Sequence, residues 1–214
     1  MFLEIACFNI ESCLIAQKAG ANRIEFCNDY ESGGITPSFQ EIAKVRQLIK
    51  IPLHVIIRFK NDDVKMMEEA IWFCKKFKID GVVFGVIKES AVDILPCVKL
   101  VELASPMKCT FHRYIDKCAN MDESIEQLID IGFHNVLTSG GKENALEGIE
   151  IIAKLQQKYG DKINIIPGGG IRPNNVKLIK EKTNCNTFHS SAMDLSTKTV
   201  DETIIKDLLH AINS

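Results

Sequence analysis

Short apolar runs recur along the chain, and each is followed by a turn and then by a stretch whose apolar residues return every three or four positions. The runs cover residues 2–7, 23–27, 53–58, 81–84, 109–112, 135–138, 163–166 and 187–189. They are rich in Ile, Val, Phe and Leu, as strands buried on both faces of a parallel sheet are. The intervening stretches read as helices. The stretch 12–20 ends at Gly20, suited to a left-handed cap. Ser38 and Glu41 have the spacing of a capping box. Ile125, Leu128 and Ile129 share one face of 123–132, which stops at Gly132. At the last helix, Thr199 with Glu202 forms a second capping box unless Asp201 takes the cap. Eight strand–helix units in 214 residues leave about 27 residues each, close to the minimum for such a unit. The pattern predicts an α/β fold: a compact (β/α)8 TIM barrel, a single domain over 1–214 without large insertions. The competitor is a doubly wound open sheet, which needs fewer strands and normally a glycine fingerprint after the first one. The first turn here, Phe8-Asn9-Ile10-Glu11, has no glycine.

Strand residues alternate between two faces. One parity is apolar: Leu3, Ile5, Ile24, Phe26, Leu53, Val55, Ile57, Cys109, Phe111, Leu137 and Phe188. It is expected to face the helices. The other carries Glu4, Arg23, Glu25, His54, Arg58, Thr110, His112, Thr138, Thr187 and His189. It is expected to point inward, where barrels usually hold branched aliphatic side chains. An isolated buried carboxylate is too costly to keep, so these groups pair or shift their pKa. Two readings stay open: an ion-pair network that only fixes the barrel's register, or a solvated polar site.

Composition narrows the function. The chain is 46% apolar and 25% charged, ordinary for a globular protein. A net charge of −2 gives no basic excess for a nucleic-acid backbone or an anionic membrane. No apolar run approaches the ~18 residues of a membrane span. The opening Met1-Phe2-Leu3-Glu4 lacks the features of a secretory signal, so a cytoplasmic location is expected. The eight cysteines form no C-x-x-C pair and sit mostly in apolar stretches, which reads as buried thiols in a reducing compartment.

Three loops carry candidate chemistry. Gly168, Gly169 and Gly170 follow the seventh strand, and His189-Ser190-Ser191 ends the eighth. Loops after strands seven and eight often form a phosphate site in such barrels, and glycines let backbone N–H groups approach an anion. The alternative is a tight turn and nothing more. The Rossmann pattern fails because Pro173 stands where its third glycine belongs. At the end of strand five, His112 can move protons near neutral pH, Arg113 can clamp an anion, and Asp116 can orient either neighbour. The loop holding Gly33, Gly34 and Pro37 lies above Glu25 and is either a further contact surface or a well-formed turn into a capped helix. His54, deeper in its strand, reads as structural. A metal site has little support: Cys27 points inward and Cys7 outward, while Cys118 lies in a loop and is expected to be accessible. The bottom-up expectation is an enzyme or binding barrel for a small anionic or phosphorylated metabolite. Gly168, Gly169, Gly170, Ser190 and Ser191 would hold the anion and Arg58 and Arg113 would add charge. His112 and Glu25 would transfer the proton, supported by Glu4.

Taken together, these segments resemble the CutC family. The matching stretches include Ala21-Asn22-Arg23-Ile24-Glu25-Phe26-Cys27, Gly33-Gly34-Ile35-Thr36-Pro37-Ser38, Pro52-Leu53-His54-Val55-Ile56-Ile57-Arg58, Thr110-Phe111-His112-Arg113, Gly168-Gly169-Gly170-Ile171-Arg172 and Phe188-His189-Ser190-Ser191-Ala192. The resemblance implies a cytoplasmic TIM-type barrel that self-associates as a homodimer or higher oligomer, with a link to copper binding or homeostasis. Copper is the only cofactor it suggests, with Cys27 and Cys118 as the candidate ligands. It implies no defined reaction. A copper-buffering protein without catalysis and a barrel that serves only as a scaffold are the competing expectations. The chain departs from the family pattern after Arg58, where Phe59-Lys60-Asn61-Asp62 replaces a glycine-containing loop, and in the short segment 193–200 before the last helix.

Overall fold

The computed structural model describes residues 1–194 and 196–214, so Leu195 of the 193–200 segment lies outside it. Eight parallel strands, β1 (Phe2–Cys7), β2 (Arg23–Phe26), β3 (Leu53–Ile56), β4 (Gly81–Phe84), β5 (Lys108–Phe111), β6 (Asn135–Thr138), β7 (Asn164–Pro167) and β8 (Thr187–Ser190), form one ladder in the order β8-β1-β2-β3-β4-β5-β6-β7. β7 lies beside β8, so the sheet nearly closes into the predicted barrel. The helices are α1 (Ile10–Ala19), α2 (Phe39–Leu48), α3 (Val64–Lys76), α4 (Ile94–Ala104), α5 (Met121–Ile131), α6 (Ile149–Tyr159), α7 (Val176–Thr183) and α8 (Glu202–Asn213). Two small hairpins, Ile87–Lys88 with Ala91–Val92 and Met193–Asp194 with Thr199–Val200, add to the predicted set.

The caps explain where the helices stop and start. Gly20 and Gly132 take left-handed φ values of 96° and 97°, a conformation glycine adopts without a Cβ clash. Ser38 and Glu41 complete the capping box. At α8 the cap is Asp201, whose side chain accepts from Thr203 N and Ile204 N, while Thr199 belongs to a hairpin.

Leu3, Ile5, Ile24, Leu53, Val55, Phe111 and Phe188 are fully buried in the layer between sheet and helices. Burying each such side chain contributes about 1.5–3 kcal/mol. Inside the barrel one small apolar cluster gathers Cys27, Ile56 and Val83, with Phe8 against them. At the amino-terminal end, Asn135 Nδ2 donates to Thr110 Oγ1 (2.9 Å), Asn164 Nδ2 donates to Asn135 Oδ1 (2.9 Å), and the same Nδ2 reaches Thr187 Oγ1 (3.3 Å). This chain ties β5 through β8 by side chains and spans the gap between β7 and β8.

On β6 the expected parity is reversed. Val136 joins the outer core, whereas Leu137 lines the central cavity and Asn135 bonds inside the barrel. Thr138 ends the strand and sends its hydroxyl to Asp116 of the preceding loop rather than to the barrel axis.

Candidate active site

The sheet register builds the floor of the site. Glu4 stands level with His189 of β8 and with Arg23 of β2, and Ala6 stands level with Glu25. Arg23 Nε donates to Glu4 Oε2 at 2.5 Å, and His189 Nδ1–H donates to Glu4 Oε1 at 2.7 Å. The other ring nitrogen, Nε2, lies 3.5 Å from Glu25 Oε2. Burial drives both carboxyls upward, but the outcomes differ. At Glu4 the Arg23 charge and the His189 bond overcome burial and hold the carboxyl well below its ordinary range. At Glu25 burial, reinforced by the Glu4 charge, outweighs His189 and leaves the pKa raised. Burial lowers His189, but the two carboxylates more than compensate and raise it. Two neighbouring carboxyls with opposite shifts are the usual mark of divided acid–base roles.

Above this floor opens a cavity of about 470 Å³, lined among others by Glu25, Cys27, Arg58, His112, Arg113 and His189. Lys117 and Lys142 also line it, so its mouth is electropositive. Arg58 Nη1 donates to the carbonyls of Ser32 and Gly34 (both 2.9 Å), and its Nε reaches the Tyr114 hydroxyl. Arg58 thus also pins the loop above Glu25. Arg113 is oriented by Asp116, which accepts from Arg113 Nε (3.0 Å), Thr138 Oγ1, Ser139 N and Gly141 N. A charge-assisted hub of this kind fixes a guanidinium without filling the cavity.

A second recess of about 310 Å³ adjoins the first and shares Arg113 and His189 with it. Gly169, Gly170, Arg172 and Ser191 line it. A Cβ at Gly169, whose φ is +87°, would come within 2.9 Å of Arg113 Nη1. The glycine leaves open space next to the guanidinium. Gly168 serves close strand packing instead, since a Cβ there would meet Leu137 Cδ1 at 2.5 Å. Ser190 is also engaged, since its hydroxyl donates to Ile171 O and accepts from Ala192 N.

His112 lines the same cavity as Glu25, as its strand position predicts, but no bond joins the two. Its Nδ1 accepts from Tyr114 N, and burial together with the Arg58 charge lowers its pKa to about 3. The imidazole in contact with Glu25 is that of His189. His54 is buried inside the barrel against Gly81 and held low, at about 4, by burial and the Arg23 charge. His189 was visible in the sequence as an inward residue of the last strand, but its partner Glu4 is 185 positions away.

The cysteines do not assemble a soft-metal site. Cys27 lies in the inner cluster and Cys118 in the outer core, where its thiol contacts Tyr114 O. Cys118 is buried, not accessible, because the short helical turn Arg113–Lys117 folds the loop onto it. Burial pushes both thiols up, at Cys27 with help from the Glu25 charge, away from the thiolate form a metal needs. Among the described residues no three His, Cys, Asp or Glu side chains gather around a point that could hold a metal ion.

Fold and floor together define a TIM-type barrel with a polar, cation-rimmed pocket at the carboxyl ends of its strands, where such barrels place their chemistry. The profile described as the CutC family matches residues 1–194, and the chain belongs to that family. A family protein CutC of Xanthomonas campestris is 39% identical over 200 residues, covering 90% of this chain and 83% of its own. One of Parabacteroides distasonis is 38% identical over 202 residues, with 90% and 83% covered. The crystal structure of a CutC from Streptococcus agalactiae, named for copper homeostasis, superposes with a TM-score of 0.84 at 25% identity, covering 89% of this chain and 98% of that one. A phosphoribosylanthranilate isomerase of Thermotoga maritima shares the fold at 15% identity and a TM-score of 0.68, covering 100% and 98%. No helix among the described residues is long and apolar enough to cross a membrane.

Proposed function

We propose that this barrel is an enzyme that moves a proton on a small anionic metabolite, most simply a phosphorylated one. Gly169, Gly170, Ser191 and Arg113 hold the anion, and Glu25 with His189 handles the proton. Glu4 and Arg23 lock the His189 ring in place from behind. The carrying observation is the 3.5 Å approach of His189 Nε2 to Glu25 Oε2 at the floor of an electropositive cavity. A carboxyl whose proton affinity is raised by burial suits general acid–base work. The setting we propose is a reducing cytoplasm, in keeping with the unpaired cysteines.

Calorimetric titration with inorganic phosphate tests the anion site. Binding should weaken at least tenfold in Gly169→Asp and in Arg113→Gln, the second guarding against a folding defect in the first. Absence of phosphate binding to the wild-type protein overturns the reading. Metabolite capture followed by mass spectrometry, compared between wild type and Gly169→Asp, then identifies the substrate class.

The copper-homeostasis name of the Streptococcus agalactiae protein supports a copper reading as an alternative. The donor set argues against tight Cu(I) binding here, because the thiols are buried and, among the described residues, no three ligating side chains gather at one point. Competition against a Cu(I) chelator should show weak uptake that Cys27→Ser and Cys118→Ser leave unchanged. Tight stoichiometric uptake lost in either variant favours the copper reading instead.

A further inference from the structure

His112 is the group in the cavity wall that the proton pair does not use. It follows β5, which the ladder order sets three strands from β2 and Glu25. It is only 5% exposed and lines the same cavity as Glu25. Its Nδ1 accepts from Tyr114 N at 3.4 Å, which leaves the ring proton on Nε2. Nε2 is buried and has no partner among the described residues. A buried donor without an acceptor is costly, and native structures keep one for a reason. Burial and the nearby Arg58 and Lys117 charges also keep this ring neutral across the physiological range. His112, a cavity-lining residue, thus carries an uncharged N–H donor in electropositive surroundings, and such a donor fits an oxygen on which negative charge develops.

The site thus has three parts: a carboxylate base at Glu25, a neutral donor at His112, and an anion seat at Arg113 and Gly169. We infer that the reaction removes a proton from a carbon next to a carbonyl, with the carbonyl oxygen on His112 Nε2, the carbon acid over Glu25 and a phosphate in the seat. The inference rests on the phosphorylated-metabolite reading and narrows it to phosphorylated α-hydroxycarbonyl compounds. The Glu25 carboxylate takes the carbon-bound proton. The C–H electron pair becomes the C=C bond of an enediolate, and the carbonyl π pair moves to oxygen, where His112 donates its hydrogen bond. Glu25 returns the proton to the former carbonyl carbon. The hydroxyl proton passes to the enediolate oxygen, and a carbonyl forms at the neighbouring carbon. Atoms and electrons balance without an added oxidant or reductant.

Three probes test this by calorimetry: inorganic phosphate, phosphoglycolate, and phosphoglycolohydroxamate, a planar mimic of a phosphorylated enediolate. The hydroxamate should bind wild type at least 100-fold more tightly than phosphoglycolate. His112→Ala should erase at least tenfold of that preference while inorganic phosphate binds as before. His112→Gln, which keeps a neutral donor, should restore part of it and guards against a folding defect. NMR of dihydroxyacetone phosphate or a related phosphorylated α-hydroxyketone in D2O should show enzyme-dependent deuterium uptake that Glu25→Gln stops. If phosphate binds but the hydroxamate gains nothing, this inference falls and the anion site stands. If the hydroxamate is preferred equally by wild type and His112→Ala, the role of His112 falls. If phosphate itself does not bind, both readings fall.

Discussion

Glu4 and Glu25 are buried carboxyls on neighbouring strands, and replacing each by glutamine should move stability in opposite directions. Glu4→Gln removes the charge that holds Arg23 at 2.5 Å and His189 at 2.7 Å, and leaves a buried guanidinium uncompensated. Breaking a buried pair from one side costs about 3–5 kcal/mol. At about 2–4 °C per kcal/mol for a chain of this size, Tm at neutral pH should fall by roughly 6–20 °C. Glu25 differs: among the described residues its ion contact is His189 at 3.5 Å, with no arginine in pairing range. Its folded pKa is raised by burial and by the Glu4 charge. A raised folded pKa contributes stability that is fully present below the unfolded value and is lost as pH rises through the folded value. Glutamine does not titrate, so Glu25→Gln should match or exceed wild type at neutral pH, with a gain that grows from about pH 4.5 upward. Glu4 has the opposite sign. Its depressed pKa gives stability that is present above the unfolded value and lost in acid, so the Glu4→Gln deficit is full at neutral pH and narrows in acid. Paired thermal and urea melts from about pH 3 to pH 8 measure both. An equal loss in the two variants refutes the reasoning and makes Glu25 a brace of the barrel rather than a group kept for chemistry.

The histidines should titrate far apart by NMR: His112 at about 3, His54 at about 4, and His189 above its ordinary value. The stability tied to His54 and His112 is present above their unfolded value and is lost as pH falls toward the folded one, so a His112 midpoint near neutrality contradicts the assigned burial. Asp116→Ala removes the acceptor shared by Arg113 Nε, Thr138 Oγ1, Ser139 N and Gly141 N. It should cost about 2–4 kcal/mol in a urea melt and weaken phosphate binding at least tenfold, because hydrogen bonds to a charged group are the stronger kind; wild-type melting and affinity contradict it. Gly81→Ala places a methyl 2.4 Å from His54 Nε2. Such overpacking costs about 1–3 kcal/mol, and His54→Ala in the same chain should recover part of it, so additive losses contradict the contact.

Local pattern made the barrel legible, because a strand's period of two and a helix's period of 3.6 survive in runs as short as Leu53–Ile56. Caps were legible for the same reason: Ser38, Glu41 and Gly132 act on neighbours within one turn. The orientation of β6 was not, since Leu137 and Thr138 alone fit either face, and the deciding residue is Asn135, whose amide needs Thr110 and Asn164. The roles of Ser190 and His189 were hidden for a related reason. Whether a rim hydroxyl is free depends on a carbonyl such as Ile171 O arriving from another loop. Whether an inward histidine meets a carboxylate depends on β8 meeting β1 in the register that sets His189 beside Glu4. Cys118 shows the same limit, as a loop position reads as exposed until the turn Arg113–Lys117 covers it.

The distribution of cations argues that the polar interior is more than a fastening. A barrel that used its buried charges only for stability would give each carboxylate an arginine, because an unpaired buried charge is costly. Arg23 does serve Glu4 in this way. The two arginines that line the main cavity are held elsewhere: Arg58 by the carbonyls of Ser32 and Gly34, and Arg113 by Asp116 and Ser139. Each is fixed by groups at the rim, so its charge faces the mouth instead of neutralising Glu25. Glu25 is left with a raised proton affinity beneath an electropositive entrance. The proposed enzyme needs a rim that draws an anion inward and a proton acceptor beneath it, and a static ion-pair network needs neither.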